Sequence, residues 1–496
     1  MSGYDDLIGT IPEIVNEAIM AEMRFYGYYP DGHGGYQGMG GLGGAPPPIA
    51  GPNMPDDGMV IPDMLNGGSI SVRGIYHKWA ERIPTMFNLY LGMPDPADFQ
   101  AEADQIRIAL EQLSSQGKTS EDDHDNIDFE GNSTLALAKT VSERLAGWQG
   151  AASASFQEYL NLFTTVVGNQ ALAAEAIRAC MYMERELWNN SRNDVASFAA
   201  NARAAFSHCG DISVDDIKQV ISVVSTVNTV LGWFPAFKTV TAPVGKGLSV
   251  ANVFVNTFGG QQEATNPLSS RVVEDTWNNI VKADKDLRDK IRTTERDIDT
   301  SLSNIYDRVS AAPDIRSDGS TDQALYHLPR PTGILSADEK GDVVQVTVDP
   351  ALITDTADKL RSDLAPEMRT AAKSLKAGDT SGIWNRRAEI GIGSTGAYLS
   401  YLSVTDELHD EIKQTADELD WAADVLDAVA DNYVKGDQAV AAALAEVRQR
   451  IVESAAPSRS GGNPTGGDTT TEEQLEADNA VEEDMLATLD PDNRPV

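Results

Sequence analysis

The chain is poor in the residues that usually build catalytic or metal sites. It has only two cysteines and six histidines in 496 residues. Cys180 and Cys209 do not form a C-x-x-C pair, and the histidines at 33, 77, 124, 208, 327 and 409 show neither H-x-x-x-H nor H-E-x-x-H spacing. No G-x-S-x-G occurs. We therefore expect no catalytic residues, no metal ligands and no cofactor-binding residues. Basic charge is also scarce. Against 76 acidic residues stand 39 basic ones, a net charge of −37, and a field of that sign repels nucleic-acid backbones and anionic membrane surfaces. Met1 to Asp6 has neither a basic nor an apolar stretch, so no cleavable signal peptide is expected. Long apolar runs are missing too. The longest uncharged one outside the Gly/Pro-rich stretch, Gln219 to Phe237, is broken by Ser222, Ser225, Thr226, Asn228 and Thr229 and closed by Pro235, while Leu248 to Phe258 is too short to cross a bilayer. The segment 219–258 is expected to be buried core or an interface-seeking helical pair.

What the chain does have is helical periodicity. Residues 1–30 contain a short amphipathic helix with Ile11, Ile14, Val15, Ala18, Ile19 and Met23 on one face. This helix has no core of its own and must dock elsewhere or fray. Residues 31–68 are crowded with Gly, Pro and Met and are expected to form a linker without regular structure. A helical domain is expected over 70–312. Its first arm carries Phe99, Ala103, Ile106, Ile108 and Leu110 to Leu113, and resumes at Leu135 to Leu137 after a polar insertion. Thr140, Val141, Leu145 and Trp148 complete that arm. The insertion's Asp123-x-Asp125-x-Ile127 fails the EF-hand pattern at the third ligand, so it reads as a solvated acidic loop.

Trp148-Gln149-Gly150 follows, with Ala151, Ala152 and Phe156 directly after it. A corner between antiparallel helices needs a residue that tolerates positive φ, which Gly147 or Gly150 supplies, and an apolar plug, which Trp148 supplies. The return arm has Phe156, Leu160, Phe163, Val167, Leu172, Ala176, Cys180, Tyr182 and Met183 at helical spacing, without proline before Pro235. It is one long helix or two stacked ones. If it is unbroken, Cys180 and Cys209 lie roughly 44 Å apart and cannot be bridged; a bridge would need a break near Asn189 and Asn190. Another amphipathic helix is expected over 272–309, with Val273, Trp277, Ile280, Val281, Leu287, Ile291, Ile298 and Ile305.

A proline-bearing linker, 313–342, leads to a second hairpin domain at 343–454. Val343 to Val348 alternates like a strand, after which Asp349 as N-cap and Pro350 at the first helical position open a helix. Its apolar face is Ile353, Ala357, Leu360, Leu364, Met368 and Leu375. A polar corner ends at Trp384, and the return helix carries Tyr398, Leu402, Leu408, Ile412, Ala416, Leu419, Ala422, Leu426, Val429 and Tyr433. Gly391 to Gly396 spells G-x-G-x-x-G but lacks the βαβ context of a dinucleotide site, so it is expected only to loosen the start of that helix. Residues 455–496 form an acidic tail expected to be disordered. The fold class is therefore mostly α, with two helical-hairpin or bundle domains, a Gly-rich N-terminal linker and a disordered acidic tail.

The corner Trp148-x-Gly150 with its following aromatic resembles the corner of the WXG-type proteins exported by type VII (ESX) secretion systems, over roughly 95–210. Val346-Thr347-Val348-Asp349-Pro350-Ala351-Leu352, running into an Ala/Leu-rich helix, is similar to the opening of EspC-like secretion-associated hairpins, over roughly 343–450. Near the end of that hairpin, Tyr433 and Asp437 match the Y-x-x-x-D/E export motif; Tyr182 and Glu186 match it as well. The second corner, Trp384-Asn385-Arg386, departs from W-x-G.

Within one hairpin, a corner tryptophan and a tyrosine at the far end stand on the order of 50 Å apart, so they meet only when a second hairpin packs antiparallel. The resemblance implies such a two-part secretion signal, here Trp148 and Gly150 from one hairpin with Tyr433 and Asp437 from the other. It also implies a non-enzymatic secreted substrate or accessory protein, found outside the cell or at its surface. Its expected partners are the secretion ATPase, a chaperone and a WXG-type protein. Val481, Met485, Leu486 and Leu489 have helical spacing in the tail and are candidates for docking to the ATPase. Two alternatives stay open: a membrane-active effector using 220–258, and a structural protein that self-assembles into homo-oligomers.

Overall fold

Helix α5, Ala151–Ser207, organises the molecule. Every residue from Val166 to Glu184 is buried, which for a helix means neighbours on all sides. The computed structural model describes residues 3–30, 36–38, 60–63, 68–113, 133–145, 148, 151–209, 217–221, 264–311, 325–330, 350–376 and 380–435. All of them belong to one unit, residues 1–436. They are mostly helical.

The helices around α5 follow the apolar stripes of the sequence. Helix α1, Leu7–Phe25, buries Leu7, Ile11, Ile14, Ala18, Ile19 and Met23 against α5 and α2. Gly27, at φ 86°, ends it, a backbone conformation that an L side chain resists. Arg24 in the last turn of α1 donates to the carbonyls of Ser207 (2.9 Å) and Phe206 (3.2 Å), placing a cation where the dipole of α5 is negative. Helix α2, Val72–Phe87, starts at Ser71, whose Oγ accepts from the Gly74 amide at 3.2 Å. Its Trp79 is fully buried and meets Phe206 edge-on at 5.3 Å. Helix α3, Pro96–Leu113, begins on a proline, whose missing N–H costs nothing there, with the Asp95 carboxylate accepting from the Ala97 amide at 3.0 Å.

Helix α4, Ser133–Arg144, leads through Trp148 into α5. Helix α6, Val273–Val309, carries Glu274 and Asp275 in its first turn and Arg308 in its last, each of the sign the helix dipole favours. Helix α7, Pro350–Lys359, widens into a π turn at Leu360–Leu364 and continues as α8, Ala365–Leu375. The cause of the widening is Pro366, which cannot donate to the Ser362 carbonyl and whose ring crowds that turn. A 3-10 turn, Ser381–Trp384, and a loop of residues 385–397 lead to α9, Tyr398–Lys435. Helix α5 packs on α1, α3, α6 and α9, while α8 packs between α3 and α9.

The two expected hairpin domains share this core. Phe99 of α3 meets Trp384 of the second corner edge-on at 4.9 Å, and Gln170 of α5 donates to Thr415 of α9 at 2.8 Å. The long return arm is one helix, continuous through Asn189 and Asn190; Cys180 and Cys209 are buried and not joined by a disulfide.

Three details differ from expectation. Ile108, Val281 and Leu402 are exposed, because neighbouring residues on those helices, such as Val404 and Leu408 in α9, take the core-facing positions. The Gly-rich stretch holds regular structure at its ends. There β1, Tyr28–Pro30, pairs antiparallel with β2, Tyr36–Gly38, and β3, Val60–Asp63, with β4, Gly68–Ser71, so that short stretches between glycines still satisfy backbone groups by pairing. The third ladder joins β5, Lys218–Ile221, to β6, Ala264–Pro267, at the two ends of the long apolar segment. That segment beyond Ile221, the insertion 114–132, the strand-like run 343–348 and the tail lie outside the described residues. Among the described residues no helix is long and apolar enough to cross a membrane.

Candidate functional site

The α4–α5 corner is built around Trp148. Its amide donates to the Leu145 carbonyl at 2.9 Å, which closes the last turn of α4, and Ser153 Oγ donates to the Trp148 carbonyl at 2.8 Å, which ties the first turn of α5 to the corner. The indole is buried and lies 6.4 Å from the Phe156 ring, which in turn lies 5.9 Å from Tyr159. Trp148 Nε1 has no partner among the described residues. Gly147 and Gly150 lie outside them.

Antiparallel packing determines which end of α9 accompanies this corner. Tyr159 donates through its hydroxyl to the Glu418 carbonyl at 2.9 Å, and Gln170, further along α5, donates to the Glu411 carbonyl at 3.2 Å. Numbering rises on α5 as it falls on α9. Followed back eight positions from Tyr159 to Ala151, α5 therefore runs beside α9 to about the level of Leu426, and the α9 backbone extends roughly 14 Å beyond, to Lys435.

Helix α7 reaches the same end. Arg361 bridges Asp424 (2.7 Å) and Asp427 (2.9 Å) of α9, and Arg144, at the end of α4, pairs with Asp355 of α7. The corner of the first hairpin and the open end of the second are thus neighbours. Tyr433 lies on the last turn of α9 by its backbone; its side chain, Asp437 and the tail residues Val481, Met485, Leu486 and Leu489 lie outside the described residues.

The chain matches no protein-family model, no curated protein and no solved structure. Its own geometry must carry the functional reading.

The second Tyr motif is in a different position. Tyr182 sits in the fully buried stretch of α5, where its hydroxyl accepts from Gln100 and Arg178, each at 3.3 Å, and Arg185 stacks over its ring at 4.9 Å. Glu186 accepts from Arg185 at 2.9 Å. This tyrosine is part of the core.

A polar cluster that sequence reasoning missed lies at the second corner. Arg386 and Glu295 form an ion pair with no side-chain exposure at all. Arg386 also donates to the Trp384 carbonyl at 2.8 Å, its guanidinium stacks 5.0 Å from the Trp188 ring, and Glu295 accepts the Ile392 amide at 2.7 Å. Trp188 Nε1 donates to Glu184 Oε2 at 2.9 Å, while Glu184 Oε1 and Arg386 Nε have no partner among the described residues.

The G-x-G-x-x-G run is the cover of this cluster. A Cβ on Gly391 or Gly396 would run into Arg386 and Glu295, so only glycine lets the backbone close over them. Burial raises Glu184 from 4.5 to about 7, opposed by the charge of Arg386 and helped by that of Asp299. Burial also pushes Arg386 down to about 10. The signal in the sequence was Arg386 standing where a WXG corner has glycine, five residues before a glycine-rich loop. Among the described residues, no three His, Cys, Asp or Glu residues converge as metal ligands.

Proposed function

We propose that the chain is a non-enzymatic substrate or accessory protein of a type VII secretion system, exported folded through a two-part signal at one end of its bundle. One part is the corner of Trp148 and Gly150; the other is the end of α9 with Tyr433 and Asp437. The observation that supports this most is the antiparallel register of α5 and α9, which brings the corner of one hairpin to the end of the other within a single chain.

Two details agree with it. The competing motif at Tyr182 is buried and held by hydrogen bonds, which favours the motif at the end of α9. Trp148 itself is held by hydrogen bonds to both flanking helices, which gives this part of the proposed signal a fixed position. On this reading the partners are the secretion ATPase, a chaperone and a WXG-type protein, and the tail residues Val481, Met485, Leu486 and Leu489 offer the ATPase a short apolar stripe. The protein would act outside the cell or at its surface.

The test is export of Tyr433→Ala and Asp437→Ala variants from a bacterium with a type VII system and from the same strain lacking its ATPase. Loss of both variants from the medium, with normal circular dichroism of the purified proteins, is expected. Export of either variant at the wild-type level, or of the wild type without the ATPase, would overturn the proposal.

A further inference from the structure

The cluster under the glycine loop has a charge imbalance that the architecture does not relieve. One guanidinium, Arg386, faces two carboxylates that are both wholly buried, Glu295 of α6 and Glu184 of α5. Glu295 takes the direct ion pair and the Ile392 amide. Glu184 receives only the Trp188 indole N–H, and its other oxygen has no partner among the described residues. A buried carboxylate without a full set of partners is costly when ionised and tolerable when protonated.

The remaining groups around Glu184 do not alter this balance. From α5 itself comes the buried Cys180 thiol; from α6, Asp299, whose charge adds to the repulsion and which accepts from Ser400 Oγ at 2.6 Å. From α9, Tyr401 directs its hydroxyl to Glu102 of α3 at 2.9 Å, away from the cluster.

We infer that Glu184 is a proton-operated latch on the loop 385–397. With its proton on, Glu184 leaves Arg386 to Glu295, and Glu295 in turn holds the Ile392 amide, so the loop is closed over the α5–α6 seam. With the proton gone, Glu184 competes for the same guanidinium and adds an uncompensated buried charge, which favours states in which the loop lifts and water enters. From outside, Arg292 holds the loop by donating to the carbonyls of Gly391 (3.3 Å) and Glu389 (3.1 Å); the Arg386 amide ties the loop to itself at the Ser394 carbonyl, 3.0 Å, and Ile390 is buried beneath it. Lifting it would free the Trp384 corner from Phe99. The latch is closed in mildly acidic surroundings and loosens as the pH rises through neutrality.

The sign follows from proton linkage. The folded chain holds the Glu184 proton to a higher pH than the unfolded chain does, so the folding equilibrium weakens with rising pH between those two values. With folded and reference values of about 7 and 4.5, the Glu184 contribution falls roughly 30-fold from about pH 5.5 to pH 8. Glu102, Glu175 and Glu418 are also raised by burial and add to the slope of the wild type, so the readout is the difference between variants.

The experiment is urea unfolding of the full chain across that pH range, with hydrogen exchange at the Ile392 amide measured in parallel, for the wild type, E184Q and D299N. Expected are a slope reduced by the 30-fold contribution in E184Q, with Ile392 protection independent of pH beyond the intrinsic exchange rate. In D299N the transition should move to lower pH, because a charge that repels the Glu184 carboxylate is gone. A structural role alone would shift stability equally at every pH and leave the slope intact. An unchanged slope in E184Q would overturn the latch; should E184Q fail to fold, an unmoved transition in D299N would do so.

Discussion

Two glycine-to-alanine substitutions should change stability in opposite directions. Gly396 has φ 52°, and a Cβ there would collide with both Arg386 and Glu295. Alanine at a left-handed position costs about 1–2 kcal/mol. Forcing apart a wholly buried ion pair costs about 3–5 kcal/mol, because it leaves uncompensated charge in the interior. Relaxation of the loop offsets part of that sum, so G396A should destabilise the protein by about 4 kcal/mol. Gly168, in contrast, lies within the buried part of α5, and a Cβ there would meet nothing within 4 Å. G168A replaces a poor helix former with the best one and should stabilise by about 1 kcal/mol. Urea unfolding followed by circular dichroism measures both. A G396A loss below about 1 kcal/mol would show that the loop does not close over the ion pair as described. A destabilised G168A would mean that the space beside Gly168 is filled.

Two further outcomes test other parts of the bundle. R24A removes the cation from the last carbonyls of α5 and should cost about 1–3 kcal/mol, with faster hydrogen exchange in the final turn of that helix; unchanged exchange there would refute the capping role. Cys180 is fully buried and its thiol is pushed far up, so a thiol reagent should label it only as fast as the protein unfolds, and reductant should leave stability unaltered. Rapid native labelling of Cys180 would contradict its burial.

Helix faces were legible because burial repeats with the turn of the helix. Ile11, Ile14, Ala18, Ile19 and Met23 of α1, and Leu408 through Val429 of α9 at their expected spacing, are in the core. Where the reading failed, the reason was local competition. Ile108, Val281 and Leu402 each have apolar neighbours on the same helix that already fill the core, and an apolar residue in excess of the stripe goes to the surface. The π turn before Pro366 was missed because apolar spacing continues through it. Arg386, Glu295 and Glu184 could not be grouped from sequence, since they come from three segments and their meaning depends on mutual burial.

The sequence by itself determined that the chain is mostly helical, where the corners at Trp148 and Trp384 fall, and that Cys180 and Cys209 could be bridged only if the helix between them broke. Those are consequences of periodicity, turn chemistry and helix rise, all of which act over a few residues. Only the tertiary structure decided that the two hairpins share one core, that α5 and α9 run antiparallel with the Trp148 corner at the open end of the second hairpin, and that a glycine loop closes over a buried guanidinium. These depend on contacts between residues ninety or more positions apart, such as Tyr159 with Glu418 and Gln170 with Thr415, and on a desolvation that no local spacing records.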